Sequence, residues 1–229
     1  MAIWAHATQR IKLSTGVTNP FSRNIAVTAG AAATIQAVSG GRCVLGIGRG
    51  DSALAYLGHA PVGLKRFEQA IAQLQTLLSG DEVPFEDFGS SGDAASIHSL
   101  ALGGKPTGVR LKWLPEGMAK VPLDVAATGP KVIAMSAPVA ERVTFSVGAD
   151  PERLNWALGL ANKARAQASL DAKGISYGAQ VVVVCHSDEV KAMEVAMHMV
   201  PPLARFQTMQ GQVGPADAAT SENLGKIRE

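Results

Sequence analysis

Short apolar runs alternate with longer amphipathic segments along this chain. The run Cys43–Ile47 is typical of a buried strand, because it is short, apolar and followed at once by glycine. In the segment Gly63–Ser79, Phe67, Ile71 and Leu74 recur at the 3.6-residue spacing of a helix that buries one face. A strand followed by an amphipathic helix is the repeating unit of a parallel α/β fold.

The same pattern predicts strands and helices over most of the chain. The predicted strands are Ile11–Thr18, Cys43–Ile47, Val121–Ala127, Arg142–Val147 and Ala179–Cys185. The predicted helices are the tail of one within Met1–Arg10, then Asn24–Val38, Gly63–Ser79, Lys131–Val139, Asp150–Ala168, segments after Ser187 and Pro201, and a polar helix at Ala216–Glu229. This alternation predicts parallel strands in chain order, with the helices packed on one outer side.

We expect residues 1–229 to form one domain. Residues 81–120 break the alternation, and much of this stretch is rich in Gly, Ser and Asp. We interpret them as an irregular excursion that includes a further strand at Val109–Leu114. A segment of this length between two strand–helix units is usually functional or mobile.

Composition narrows the functional class. Hydrophobic residues make up 47% of the chain and the formal net charge is +2. This charge and the scarcity of aromatic residues predict no nucleic-acid partner. No apolar stretch approaches the roughly 20 residues of a membrane-spanning helix, so we expect no membrane contact and a cytoplasmic protein.

Cys43 and Cys185 lie in apolar runs and are expected to be buried free thiols, which suits a reducing compartment. The histidines show no metal-ligand spacing.

A glycine-rich turn follows the strand Cys43–Ile47 directly. It carries one cation, Arg49, and one carboxylate, Asp51, among its glycines. Parallel α/β folds bind ligands at the carboxyl ends of their strands, and glycine lets the backbone approach a ligand closely. A glycine pattern of this kind is a weak signal alone, so the neighbouring motifs decide its meaning.

Several motifs in order make the chain resemble the luciferase-like (bacterial luciferase) superfamily of flavin- or deazaflavin-dependent oxidoreductases. They are Gly16–Pro20, Gly40–Arg42, Leu45–Ser52, Val125–Pro130 and Arg142–Gly148, within about residues 5–200. The branch that uses coenzyme F420, which includes methylenetetrahydromethanopterin reductases, is the most similar. The resemblance implies an α/β fold of the TIM (β/α)8-barrel type. This chain would hold about strands three to seven of that barrel, without the first two and the eighth, and would form a homodimer when full length.

The resemblance also implies a set of cofactor contacts. Gly16 and Val17 match the place where the family carries a non-proline cis peptide behind the tricyclic ring. Thr18 and Asn19 would donate hydrogen bonds to that ring, and Gly48, Arg49 and Gly50 would meet the cofactor. Asp51 matches a position that is acidic in the deazaflavin branch, where a carboxylate can act as a proton donor or relay.

Two further turns complete the implied site. Thr128, Gly129 and Pro130 join a strand to a helix, where free backbone N–H groups suit a phosphate. Ser146 occupies the equivalent place one strand later. Each of these positions also has a structural interpretation: Asp51 as a helix cap, Asn19–Pro20 as a turn and Thr128–Pro130 as an ordinary strand–helix connection.

The leading functional hypothesis is an oxidoreductase that transfers hydride between reduced coenzyme F420 and a small organic acceptor. One alternative is an FMN-dependent luciferase-like monooxygenase, in which reduced flavin activates oxygen. A second alternative is a non-catalytic barrel fragment that binds weakly or only associates with partner chains. The absent strands favour the second alternative, and Asp51 favours the F420 hypothesis over the FMN one.

Overall fold

A computed structural model describes residues 1–88, 95–201, 213–216, 221–223 and 226. In chain order its helices and strands are α1 (Ala2–Ala7), β1 (Leu13–Ser14), α2 (Ile25–Val38), β2 (Cys43–Ile47), α3 (Asp51–Ala55), α4 (Leu64–Leu78), β3 (Val83–Pro84), α5 (Phe85–Phe88), β4 (Gly108–Val109), β5 (Leu123–Ala127), α6 (Pro130–Ser136), β6 (Arg142–Phe145), α7 (Pro151–Gln167), β7 (Ser176–Ala179) and α8 (Glu189–Met197). The helix expected after Pro201 and most of the one expected at 216–229 lie outside the described residues.

Five strands form one parallel sheet in the order β1-β2-β5-β6-β7. The order is that of the chain, with only the excursion strands β3 and β4 left out, so the predicted topology is confirmed. The connections from β2 onward run through α4, α6 and α7, as expected for successive strand–helix units.

The two faces of the sheet differ sharply in character. One face presents apolar side chains such as Leu45, Val125 and Val143, which are buried in the core beneath the helices. The opposite face carries the alternate residues, which apart from Val44 on β2 are small or polar. In one row across it Gly46, Asp124 and Arg142 stand in register on β2, β5 and β6. This polar inner face is the wall from which a ligand site can be built.

Helix ends follow the signals in the sequence. Asn24 accepts a hydrogen bond from the backbone N–H of Ala26 and starts α2. Asp150 does the same for Glu152 at the start of α7, with Pro151 as the first helical residue. These caps satisfy N–H groups that a helix leaves without an internal partner.

The two edge strands of the sheet, β1 and β7, differ most from their predicted limits. The ladder of β1 spans only Leu13–Ser14, because the chain bulges after Ser14 and returns to the sheet as a single bridge between Thr18 and Ile47. The last strand is Ser176–Ala179, whereas the sequence pattern pointed to Ala179–Cys185. Pairing with β6 therefore overrides the poor strand propensity of this serine- and glycine-containing segment.

Among the residues that the structure describes, the apolar run after β7 has no ladder partner beyond Gln180, whose N–H donates to the Phe145 carbonyl. Val183 in that run is 73% exposed. Cys185 is exposed as well, so its predicted burial is wrong, whereas Cys43 is a buried free thiol as expected. Burial raises the pKa of the Cys43 thiol to about 11.

The excursion between α4 and β5 contains a short antiparallel pair, β3 with β4. The further strand predicted at Val109–Leu114 lies one residue earlier and is shorter, at Gly108–Val109. Leu111 from this excursion packs into the main core. Within the described part of the chain, no helix has the length and apolar character needed to cross a bilayer.

Candidate functional site

A cavity of about 510 Å³ opens on the inner face, where β1, β2, β5 and β6 end. This volume is within the usual range for small-molecule and cofactor pockets. Its walls come from the bulge after β1, the turn after β2 and alternate residues of β5 and β6. The lining residues are Ser14, Thr15, Gly16, Val17, Thr18, Asn19, Gly48, Gly50, Asp51, Ser52, Ala53, Asp124, Ala126, Thr128, Thr144, Ser146 and Gln180.

Most of the predicted site residues meet in this one cavity. The ones that line it are Gly16, Val17, Thr18, Asn19, Gly48, Gly50, Asp51, Thr128 and Ser146. Three others do not line it: Arg49, Gly129 and Pro130. Residues that are scattered over 130 positions of the chain (16 to 146) therefore converge at the carboxyl ends of neighbouring strands.

The bulge after β1 forms one wall. The Gly16–Val17 peptide bond is cis, as the resemblance implies. Thr18 links this bulge to β2, since its N–H donates to the Gly46 carbonyl at 3.0 Å and its carbonyl accepts from the Gly48 N–H at 2.9 Å. The Val17 side chain is left 48% exposed at the cavity wall.

Asn19 has a clear structural role at this wall. Its side-chain oxygen accepts hydrogen bonds from the backbone N–H groups of Phe21 (3.0 Å) and Ser22 (2.9 Å). The residue is buried and holds the turn that leads to α2. The turn interpretation of Asn19 is therefore confirmed, and its oxygen is committed to the backbone.

Gly50 shapes the turn after β2. Its φ is +90°, and a side-chain carbon there would lie 2.9 Å from Leu54 Cγ and 3.0 Å from Asn19 Cβ. A residue with a side chain would therefore be strained and crowded at this position. Gly50 caps α3, and Asp51 is the first residue of that helix, so the interpretation of Asp51 as the cap itself is wrong by one residue.

Arg49 lies in the turn after β2 but does not line the cavity. Its Nε donates to the Val62 carbonyl at 2.6 Å, and the Val62 N–H donates to the Arg49 carbonyl at 3.0 Å. The side chain thus ties the turn after β2 to the segment before α4. Its contribution to the site is to hold the turn in place.

The turn after β5 is a strand–helix connection of the expected kind. Gly129 is the N-cap of α6 and Pro130 its first residue. Thr128 lines the cavity, whereas Gly129 and Pro130 do not.

Sequence reasoning missed Asp124, a carboxylate in the cavity wall. Both of its carboxylate oxygens lie 2.9 Å from Thr144 Oγ1, and Oδ2 lies 3.5 Å from Arg142 Nε. Burial raises the pKa of Asp124, and the Thr144 hydroxyl and the Arg142 charge oppose that rise. A charged residue in an otherwise apolar strand, Val121–Ala127, was the signal that could have identified it.

Ser146, which follows β6, and Gln180, which follows β7, also line the cavity. Ser146 Oγ donates to the Gln180 side-chain oxygen at 3.1 Å. Gln180 was predicted to lie inside a strand, and it instead follows β7 directly. The cavity is therefore lined by hydroxyls, two amides and two carboxylates, together with small residues.

A profile of the family described as luciferase-like monooxygenase matches residues 1–227. The 5,10-methylenetetrahydromethanopterin reductase of Archaeoglobus fulgidus is 32% identical over 150 residues, covering 64% of this chain and 40% of that protein. The F420-dependent glucose-6-phosphate dehydrogenase of Nocardia farcinica is 37% identical over 114 residues, covering 46% of this chain and 34% of that protein. The matched segments thus span less than half of each relative.

A solved F420-dependent secondary alcohol dehydrogenase, in complex with an F420–acetone adduct, has the same fold. It superposes with a TM-score of 0.70 at 18% identity, covering 100% of this chain and 65% of that chain. The parallel sheet described above is therefore part of a TIM barrel, with the cavity on the barrel's inner side. The predicted fold class, an incomplete (β/α)8 barrel, is confirmed.

Proposed function

We propose that this chain, which belongs to the luciferase-like monooxygenase family, binds coenzyme F420 and serves hydride transfer between that cofactor and a small organic molecule. The observation that carries the proposal is the convergence of the predicted cofactor positions on one cavity at the strand ends. The F420-dependent relatives described above support the choice of cofactor.

The cavity is large enough to hold a planar tricyclic group, since its volume is about 510 Å³. Gly16 and Gly48, which carry no side chain, and the small side chains of Ala53 and Ala126 contribute to its lining. Val17 would pack against one face of that ring. When bound, F420 supplies a carbon that accepts or gives hydride.

The polar residues of the cavity would orient this group and exclude water. Thr18 and Ser146 offer hydroxyls to ring oxygen or nitrogen atoms. Thr128, with the backbone of Gly129 and Pro130 at the start of α6, would hold a phosphate. Asp51 would hold the proton that accompanies hydride transfer at its carboxyl group. Its position at the start of α3, on the cavity wall, puts it on the same side as the bulge and the turn after β2.

An FMN-dependent monooxygenase is the second candidate, because the family description itself names monooxygenases. A non-catalytic fragment is the third, because the matched segments cover only 40% and 34% of the two relatives. The three candidates differ in what they predict for cofactor turnover.

Anaerobic and aerobic turnover assays separate these candidates. The purified chain is mixed with reduced F420 or reduced FMN and a panel of ketones and imines, and cofactor oxidation and oxygen uptake are followed. The proposal predicts oxidation of reduced F420 that depends on an organic acceptor and consumes no oxygen. Oxygen uptake with FMN would support the monooxygenase, and no turnover with either cofactor would support the fragment.

We also propose one domain over residues 1–229, a homodimer when full length and a cytoplasmic location. The one-domain proposal is supported by the buried apolar residues of the described segments, which form one core cluster. The exposed face of α2, with Val27, Ala31 and Val38, supports the second, since small and apolar residues let a second helix approach closely. Free thiols at Cys43 and Cys185 suit a reducing compartment and support the third. Light scattering at micromolar concentration and cell fractionation test the last two.

A further inference from the structure

Asp124 lies on the inner face of the central strand of the sheet. It is the second residue of β5, and its register neighbours on that face are Gly46 on β2 and Arg142 on β6. Gly46 offers no side chain, so the partners of Asp124 within the sheet come from the β6 side alone. The Asp124 side chain is 15% exposed and forms part of the cavity wall.

The bonds that Asp124 makes do not use all of its acceptor capacity. An ionised carboxylate offers about four lone-pair positions. Thr144 supplies one hydroxyl proton and a backbone N–H, and Arg142 Nε lies 3.5 Å from Oδ2. At least one acceptor position therefore remains on a group that faces the cavity.

The surroundings hold this carboxylate in one orientation. The Thr144 hydroxyl is committed to Asp124, and Thr144 sits on β6 directly above Arg142 on the same face. The Arg142 guanidinium lies along the sheet beside Gly178, where a side-chain carbon would come within 3.3 Å of it. An oriented and largely desolvated acceptor discriminates strongly between ligand groups, because an unpaired or like-charged group opposite it is costly.

We propose that Asp124 is a specificity-determining residue that accepts a hydrogen bond from a hydroxyl or N–H group of the ligand in this cavity. The same carboxylate disfavours ligands that bring a carboxylate or phosphate to this wall. The inference rests on the proposed function, in which the cavity holds a cofactor and a small organic molecule. The hydrogen-bond donor can belong to either of these two, and the experiment distinguishes them.

Three matched probes test the inference on the whole chain: benzyl alcohol, benzylamine and benzoate. They share one ring and differ in a neutral donor, a cationic donor and an anionic acceptor. Ligand-observed NMR gives their dissociation constants with and without saturating F420. We expect the alcohol and the amine to bind at least tenfold more tightly than benzoate. Equal binding of all three probes would overturn the inference.

Two variants test whether Asp124 causes the difference in affinity between the probes. Asp124→Asn keeps the size of the side chain and removes its charge, so the preference for amine over benzoate should fall at least tenfold. Thr144→Val removes the hydroxyl that orients the carboxylate and should weaken the same preference. Asp81→Asn removes an exposed carboxylate outside the cavity and is the control that should leave it unchanged. Retained discrimination in Asp124→Asn, with the fold intact by circular dichroism, would also overturn the inference.

Titration of F420 into Asp124→Asn identifies the source of the donor group. An F420 affinity at least tenfold below that of the wild-type chain assigns the donor to the cofactor, and an unchanged affinity together with lost probe discrimination assigns it to the substrate. Failure of the wild-type chain to bind F420 would count against the proposed function alone. The probes without F420 still test Asp124 in that case.

Discussion

The carbonyl oxygen of Thr15 occupies the space where a side chain on Gly46 would begin. The same two residues are joined by a hydrogen bond of 2.7 Å from Thr15 Oγ1 to the Gly46 carbonyl. The wall of the cavity formed by the bulge after β1 can lie this close to β2 only because position 46 is glycine.

Gly46→Ala should therefore destabilise the fold and displace the bulge. We expect a loss of about 1–3 kcal/mol in the free energy of unfolding, the usual scale for forcing an extra carbon into a packed region. Urea denaturation measures it. Gly159→Ala is the matched control, because it lies within α7 with nothing near the added carbon, and it should be neutral or stabilising.

Asp51→Asn tests the proposed proton donor. If Asp51 supplies the proton, turnover with F420 should fall by about 10²-fold or more while the affinity for F420 stays within a few-fold. Asn keeps the size and most of the hydrogen bonding of Asp, and Gly50 rather than Asp51 caps α3. Asp150→Asn, at the exposed cap of α7, is the control and should leave turnover unchanged. Wild-type turnover in Asp51→Asn would remove this residue from the proton path.

Arg42→Lys should loosen the attachment of the N-terminal segment. The buried Arg42 guanidinium donates to the carbonyls of Ala5, Thr8, Ile11 and Ser39, and to the Thr8 hydroxyl. Lysine has three donors on one nitrogen and cannot make the five hydrogen bonds that the three guanidinium nitrogens make in different directions. We expect a loss of about 3–6 kcal/mol in the free energy of unfolding, on the scale of losing two hydrogen bonds of a charged group. An unfolding curve like that of the wild type would contradict it.

Two carboxylates should give opposite pH dependences of stability. Burial raises the pKa of Asp124 in the folded chain, so its contribution to stability is fully present below its unfolded pKa of about 3.9 and is lost as pH rises through its folded value. Asp124→Asn should therefore gain stability relative to wild type as pH rises from about 4.

Glu141 should behave in the reverse sense. Burial acts to raise the pKa of Glu141, but hydrogen bonds from Lys120, the Leu123 N–H and Gln75, with the Lys120 charge, lower it overall. Its contribution is present above the unfolded pKa of about 4.3 and is lost as pH falls through the folded value. Stability curves of Glu141→Gln against pH should converge on wild type in acid and fall below it near neutrality. Parallel curves for both variants would contradict these assignments.

Local signals predicted the parts of the fold that depend on local chemistry. The helices predicted at Asn24–Val38 and Asp150–Ala168, the strand Cys43–Ile47 and the helical stripe through Phe67 and Leu74 all appear where the pattern indicates. The glycine-rich turn predicted after the strand Cys43–Ile47 is also present, and its Gly50 has the positive φ that glycine adopts without strain.

The misses depend on partners that are distant in sequence. The limits of β7 follow from its pairing with β6, since the apolar run after Ala179 is the better strand by composition. Asp124 joins the site through Thr144 and Arg142, on the next strand of the sheet. The hydrogen bond from Arg49 Nε to the Val62 carbonyl likewise joins residues 13 positions apart, and no local rule predicts it.

A fluorescence titration of F420 into the chain tests most directly whether the cavity binds F420. Ala126→Leu places a larger side chain on the cavity floor, whereas Ala166→Leu adds the same volume on the exposed side of α7. We predict saturable binding of F420 to wild type and to Ala166→Leu, at least tenfold weaker binding to Ala126→Leu, and weaker binding of FMN than of F420 to wild type. No binding of F420, or equal binding by both variants, would contradict the account.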